Sequence, residues 1–389
     1  MNDFVPTTAP ERMAQEPEVS RKILRQVLGW LAENAADLPD DEQREIGRQA
    51  GIRSGLYAAE FPEADGGWSL PARIAVDLRE EAAATGRQYG FRILSAHDGP
   101  SWILQDATPG QRERWLRPLI EGRWTRCLAM TEEQGGSDLR ELRTTATRDG
   151  AGWVLTGRKF LITNAAHADL AIVLANAVAP GASGPTFFVF TTDTPGWKVV
   201  RRLPGMDHRY DQYEVELDAV RVGDEAVLGG AAQIGGATGM AGERLTHGRV
   251  CLAARAVGLG GWALGVARRH AARRTVGGVR LADKQYIREF LVRSDVKLTA
   301  ARALVRQAAA DLDRHRLAMR EAAMAKLWAT ESACEVIDDA MQVLGGRGWL
   351  SEYGLEQAYR EARLFRIVDG TSEVLKETIF HLPGGEGGS

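Results

Sequence analysis

Cysteine is scarce in this chain: Cys127, Cys251 and Cys334 are the only three in 389 residues. They are odd in number, widely spaced and set in apolar surroundings. That argues against a disulfide framework and for buried free thiols in a reducing compartment. Lysine is scarce too, at seven of the 49 basic residues, and the net charge is −3. No overall basic field exists to draw the protein to nucleic acid or a membrane surface. No basic-then-apolar leader opens the sequence, because Met1 to Ser20 is polar and contains prolines. The run Ala168 to Ala179, taken as the most apolar, is interrupted by Asp169 and Asn176 and is too short to span a bilayer. A soluble, cytoplasmic protein with no membrane or nucleic-acid partner is expected. Metal-ligand spacing is missing as well: His208, His247, His270 and His315 show no H-x-x-x-H or C-x-x-C pattern, so no metal is expected. Gly135-Gly136-Ser137 is no G-x-S-x-G nucleophile elbow.

What is present falls into three parts. An arm is expected to be disordered over residues 1–20 and a helical part to follow over 21–125, with helical periodicity already setting in over Val19 to Glu33, where Val19, Ile23, Val27 and Trp30 or Leu31 share one face. Further helices fit Asp41 to Ala50, Leu70 to Thr85 and Gly99 to Asp106. Thr108-Pro109-Gly110-Gln111 then offers an N-cap, a Pro at the first helical position and a capping-box Gln. From 126 to 235 the period switches. Arg143 to Arg148 and Trp153 to Thr163 read as strands around an Asp149-Gly150 turn. Ala168 to Ala177, Pro185 to Thr192, Trp197 to Leu203 and the alternating Tyr213 to Asp218 follow, which predicts an antiparallel β domain. Residues 240–382 are helical again, with stripes long enough for a four-helix bundle and a Gly345-Gly346 stop. The fold class is therefore α+β.

Six segments bear on chemistry. Gly258-Leu259-Gly260-Gly261-Trp262-Ala263 matches a dinucleotide fingerprint, but it sits inside a helical pattern with no strand before it. Close helix packing is the better reading. Met130 to Asp138 is a Gly-rich loop able to turn N–H groups towards a phosphate or flavin edge, or simply a turn. Arg366 to Glu373 reads as a helix end, a turn at Gly370 and a new helix start. Taken alone it is an ordinary helix–loop–helix carrying Asp369. The last two, with Lys159 to Asn164, Arg273 to Gly277 and Gln342 to Gly348, form an ordered set of five. That set resembles the acyl-CoA dehydrogenase family over roughly residues 20 to 382.

The resemblance implies a helical N-terminal domain, a middle β domain and a C-terminal bundle, with FAD as cofactor. Leu128, Met130, Thr131, Gly136 and Ser137 match the loop that holds the flavin ring and pyrophosphate. Leu161 and Thr163 match the sheet residues against the ring's other side. Arg273 and Thr275 match a pair reaching the pyrophosphate from a neighbouring subunit, and Gln342 and Gly346 match adenosine-side contacts across a dimer. Thr371 and Glu373 match positions near the phosphates and ribityl chain. Arg249 and Gly370 belong beside the thioester, and Asp369 stands at the catalytic base. The implied reaction is α,β-dehydrogenation of an acyl thioester on coenzyme A or acyl-carrier protein. Asp369 takes the α-proton and hydride passes to the flavin. A homodimer or homotetramer with shared sites and an electron-transfer flavoprotein or other acceptor as partner complete the expectation.

Several positions depart from the family pattern. Most members have Glu where Asp369 stands, a loss of about 1.5 Å in reach. The family's alternative base position falls at Gly248, so no second carboxylate substitutes there. Asp does occur as base in a bacterial branch of the family and in the related nitroalkane oxidases. Glu133 replaces a common Pro and Val276 a common Phe. Two further readings therefore stay open: an oxygen-using flavoenzyme of the same fold, either nitroalkane-type oxidase or monooxygenase, and a catalytically silent FAD-binding protein.

Overall fold

The computed structural model describes residues 16–94, 104–138, 141–150, 152–207, 211–314 and 317–382, with the side chains at 243 and 244 set aside. The arm up to residue 15, the tail from 383, His208, His315 and the start of the helix expected over 99–106 lie outside these residues. In chain order the helices α1 (Pro17–Asn34), α2 (Asp40–Ser54) and α3 (Ala72–Ala83) come first. Two short pieces, α4 (Pro109–Gln111) and α5 (Arg117–Ile120), flank a π turn at Arg112–Leu116. Strands β1 (Arg126–Ala129), β2 (Thr145–Asp149), β3 (Gly152–Thr163), β4 (Leu170–Ala179), β5 (Ala182–Thr191), β6 (Trp197–Leu203) and β7 (Gln212–Gly223) follow. After them stand α6 (Ala237–Arg273), the hairpin β8 (Thr275–Val276) and β9 (Val279–Arg280), and then α7 (Gln285–Asp313), α8 (Met319–Leu344), α9 (Leu355–Phe365) and α10 (Ser372–His381).

Helix α1 begins inside the stretch expected as an arm, since Pro17 at its first turn and Glu18 beside it are good helix-start residues. The chain divides into two compact units. One comprises residues 1–60, 68–95 and 245–389, and the other residues 61–67 and 96–244. The first three helices thus share a unit with the C-terminal helices, while α4 and α5 go with the sheet.

In the helical unit the shared core is built largely from alanine. Ala254, Ala263 and Ala267 of α6 meet Ala301, Ala308 and Ala309 of α7 and Ala322, Ala329 and Ala333 of α8. Side chains this small let helix backbones approach closely. A Cβ at Gly258 would lie 2.3 Å from the Glu80 carbonyl of α3, and one at Gly260 would lie 2.8 Å from Leu298. The glycines of the apparent dinucleotide fingerprint are therefore packing residues, as their helical context indicated. Helix α6 is also apolar enough to cross a membrane, with an 18-residue window of mean hydropathy 1.6. Sequence reading overlooked it in favour of Ala168 to Ala179. Most of that window is buried inside the protein, which accounts for its composition. Five helices, three long and two short, occupy the region expected to hold a four-helix bundle.

The sheet unit corrects one expectation. Its strand order is β1-β4-β2-β3-β7-β6, with β5 also on β4. β4 runs parallel to both β1 and β2, so the sheet is mixed and not wholly antiparallel. The reason lies in the hairpin: β2 and β3 pair as predicted, and β4 returns along the far edge of β2, a crossover that must arrive parallel. With β5 on one edge and β1 then β2 along the other, Leu170 to Ala175 is buried throughout. This explains an apolar run without alternation. In β7 the alternation holds: Tyr213, Val215 and Leu217 are buried, while Glu214 and Glu216 meet Arg158 on β3. The predicted capping box closes as well, with Thr108 and Gln111 satisfying one another's N–H groups.

Candidate active site

The turn after α9 has an unusual backbone. Ile367 and Val368 donate to the Leu364 carbonyl, and the chain then passes through φ = 54° at Asp369 and 99° at Gly370. Glycine enters the left-handed region freely; for Asp it costs energy and needs support. The support comes from two buried cations. Arg249 of α6, 5% exposed, donates through Nε to the Asp369 carbonyl at 3.0 Å. Lys326 of α8, 0% exposed, donates through Nζ to the Gly370 carbonyl at 2.7 Å. Among the described residues the Asp369 and Gly370 N–H groups have no acceptor and remain available to a ligand.

Neighbouring groups complete the turn. Thr371 is the N-cap of α10, its hydroxyl accepting from the Val374 N–H at 3.3 Å, and Glu373 is exposed in the first turn. Ser372 donates to Glu331 at 2.5 Å, and the other oxygen of Glu331 pairs with Arg366 at 2.8 Å. A Cβ at Gly248 would lie 3.4 Å from Oδ2 of Asp369. The two positions that the resemblance marks for a base, Asp369 and Gly248, therefore lie side by side. Arg249, expected beside the substrate, is here a holder of the turn. Burial pulls its pKa down, and the Asp369 charge opposes that shift. Lys326 was missed by sequence reasoning. Its signal is a charged residue in the alanine stripe of Ala322, Ala325, Ala329 and Ala333.

Also in the helical unit, Arg273, Thr275, Gln342 and Gly346 are all exposed. Two of the segments carrying them come together: burial lowers the His270 pKa, and both Arg347 and Arg274 add to that effect. The Gly277-Gly278 turn between β8 and β9 has φ of 62° and 77°, the conformation a two-residue hairpin requires. The exposed strip is thus rich in guanidinium groups.

Glu60, His247 and Cys251 place three potential metal-ligating atoms within 4.8 Å. Their electrostatics indicate an ion network. Arg79 already pairs with Glu60. Burial would raise the Glu60 carboxyl, yet Arg79 and His247 hold it well below the usual carboxylate range. Burial likewise opposes charge on His247, but Cys251 and Glu60 drive its pKa up to about 9. An imidazole that keeps its proton is a poor ligand.

In the sheet unit the Gly-rich loop is pinned to β3. Phe160 N–H donates to the Thr131 carbonyl at 2.9 Å, and Lys159 Nζ donates to the Met130 carbonyl at 3.1 Å and to Glu132 at 2.8 Å. Glu132 also accepts from the Arg143 and Thr144 N–H groups, the Thr144 hydroxyl and Gln134. Burial would raise its pKa; these donors, led by Lys159 and Thr144, hold it at about 2. Glu132 and Gly135 close a tight turn that leaves Gly136 and Ser137 exposed, with Leu128 and Met130 half-buried on one side of the strand. Next to Phe160, Leu161 sits at an irregularity in the β3–β7 register with φ = 58° and is 46% exposed; Thr163 is exposed on the same side of β3. Such bulges re-aim a side chain. Here the bulge turns a large apolar residue outwards, as contact with a planar apolar ligand requires.

Comparison with known proteins identifies the family. Models of the acyl-CoA dehydrogenase N-terminal, middle and C-terminal domains match residues 17–123, 127–220 and 236–381. A 3-(aryl)acrylate reductase of Clostridium sporogenes is 32% identical over 372 residues, 94% of this chain and 97% of that protein. The mitochondrial short-chain specific acyl-CoA dehydrogenase of Homo sapiens is 32% identical over 331 residues, 84% of this chain and 79% of that one. Among solved structures, butyryl-CoA dehydrogenase from Megasphaera elsdenii superposes with a TM-score of 0.80 at 26% identity, covering 93% of this chain and 97% of that one. The prolyl acyl carrier protein oxidase AnaB gives 0.78 at 25% identity, covering 93% and 98%. The chain belongs to the acyl-CoA dehydrogenase family of FAD-dependent oxidoreductases acting on CH–CH donors.

Proposed function

We propose that the protein converts an acyl thioester, on coenzyme A or acyl-carrier protein, to the trans-2-enoyl thioester with Asp369 as the base. What carries the assignment is the setting of Asp369: a left-handed carboxylate residue whose carbonyl is held by buried Arg249 and whose Oδ2 faces Gly248. A solvated turn Asp needs none of this. The Asp369 carboxylate takes the α-proton, and the free Asp369 N–H donates to the thioester carbonyl as negative charge develops on its oxygen.

The residues present fit FAD. Outward-turned Leu161 with Thr163, and the open Gly136-Ser137 turn, suit the ring and a phosphate. Exposed Arg273, Thr275, Gln342 and Gly346 suit the diphosphate and adenosine of a cofactor shared with a second copy of the chain. Bound FAD supplies the acceptor for the hydride leaving the β-carbon. A homodimer or homotetramer follows from that sharing, and exposed Tyr286, Val292 and Val296 on α7 give it apolar surface. An electron-transfer flavoprotein or another acceptor then takes the electrons, in a cytoplasmic setting.

Anaerobic mixing with a panel of acyl-CoA and acyl-carrier-protein thioesters tests the assignment. The flavin is expected to bleach with at least one of them and to recolour slowly in air. No bleaching with any thioester would overturn it, and rapid reoxidation with peroxide release would favour the oxygen-using reading.

A further inference from the structure

We propose that Lys326 is a positioning residue for this reaction: its ammonium, on the Gly370 carbonyl, forms with Arg249 a two-point clamp that aims the Asp369 carboxylate. The inference rests on Asp369 being the base. Its own observation, the contact of Lys326 with the Gly370 carbonyl, plays no part in assigning the base.

Full burial of a lysine is unfavourable unless something specific receives its charge. Around Lys326 the helix is lined by alanine, and an apolar side chain of equal length would suit that surrounding better. Among the described residues no carboxylate lies within 4 Å of Nζ, and the one hydrogen-bond partner is the Gly370 carbonyl at 2.7 Å. The buried charge is thus directed at the residue following the base. Arg249 reaches the preceding carbonyl from a different helix, at 3.0 Å. Two successive carbonyls fixed from α6 and α8 determine both peptide planes of a segment whose φ values, 54° and 99°, an unsupported Asp-Gly pair would leave readily. A shorter base tolerates less error in aim, and misplacement by about 1 Å costs on the order of a hundredfold in rate.

Charge on Lys326 should be visible in the pH profile. Burial brings its pKa down to about 8; the Asp369 charge opposes this, Arg249 adds to it, Glu331 opposes and Arg366 adds. The clamp is charged below about 8 and weakens above it. Because the folded-state pKa lies below the ordinary lysine value of 10.5, loss of the proton favours the fold as pH rises through that window. Activity and stability therefore move in opposite directions there, which a purely structural lysine would not produce.

The test is Lys326→Met, with Lys326→Arg as the charge-retaining companion. For each, FAD content, thermal midpoint and the rate of anaerobic flavin reduction by a saturating acyl-CoA are measured across pH. The expected result for Lys326→Met is full FAD content, an unchanged or higher midpoint and flavin reduction slowed about 10- to 100-fold. Its KM should change little, and the decline above about pH 8 should be gone. Lys326→Arg should recover part of the rate. Reduction within about twofold of the unaltered protein, or an alkaline decline that persists in Lys326→Met, would overturn the clamp. If Lys326→Met does not fold, the profile of the unaltered protein decides: flat flavin reduction between about pH 7 and about pH 9 contradicts the proposal. Asp369→Asn separates the two layers. If it is inactive while Lys326→Met is normal, the clamp alone fails; if it is fully active, the base assignment fails.

Discussion

Two of the seven lysines are fully buried, Lys159 in the sheet unit and Lys326 in the helical unit, and they solve the same electrostatic problem differently. Each donates to a main-chain carbonyl of a loop in its own unit, Met130 for Lys159 and Gly370 for Lys326, and burial brings each down to about 8. Lys159 also has Glu132 at 2.8 Å, and Glu132 has four further donors. Lys326 has no carboxylate within 4 Å among the described residues. The first is a closed network that fixes a loop. The second leaves charge at the place where chemistry is proposed. A buried cation with its own counter-ion points to architecture, and one directed at a carbonyl in a strained turn points to aim.

The contrast can be broken by substitution. The largest effect is expected for Asp369→Asn: FAD retained, with flavin reduction slowed by about 10² to 10⁴, the usual contribution of a general base. Lys159→Met should come next, on stability and not on chemistry. It leaves the Glu132 carboxylate buried without its counter-ion, at a cost of about 3–5 kcal/mol in denaturant unfolding. A cost below about 1 kcal/mol would show that Glu132 needs no cation and would dissolve the comparison. Lys326→Met should follow, slowed about 10- to 100-fold in catalysis and normal in stability.

A pH titration sharpens the same point. The Glu132 pKa is depressed to about 2 from 4.5, so its contribution is complete above the unfolded value and is lost as pH falls through that window. Acid unfolding of the unaltered protein should steepen there, and Glu132→Gln should remove that steepening; an unchanged acid limb would contradict the network. The smallest effect belongs to Gly248→Ala. Its Cβ would make ordinary contact with Asp369 at 3.4 Å, so turnover should fall less than about fivefold, while Gly248→Leu should fall much further. Equal rates for the two would mean the carboxylate does not face Gly248.

Much of this was legible in the chain because it is written in local chemistry. The Asp369-Gly370 turn, the Thr108 capping box and the alternation of Tyr213, Val215 and Leu217 each need only a few consecutive residues. What escaped depends on partners distant in sequence. Lys326 looks like any surface lysine until its helix is packed and 44 residues of chain bring Gly370 back to it. The parallel pairing of β4 with β1 and β2 follows from strand order, which alternation does not encode. The apolar character of α6 was obscured by glycines such as Gly258 and Gly260, whose close packing shows only once the neighbouring helices are in place. Leu161 lies between: its family position suggested flavin contact, but the bulge that turns it outwards appears only in the β3–β7 register.

The central claim is that Asp369 removes the α-proton of an acyl thioester. Its most direct test is the rate of flavin bleaching with α-protonated and α-deuterated acyl-CoA, in the unaltered protein and in Asp369→Asn at equal FAD content. Slower bleaching with the deuterated substrate is expected in the unaltered protein, and almost none with either substrate in the variant. Bleaching of Asp369→Asn at the unaltered rate would contradict it.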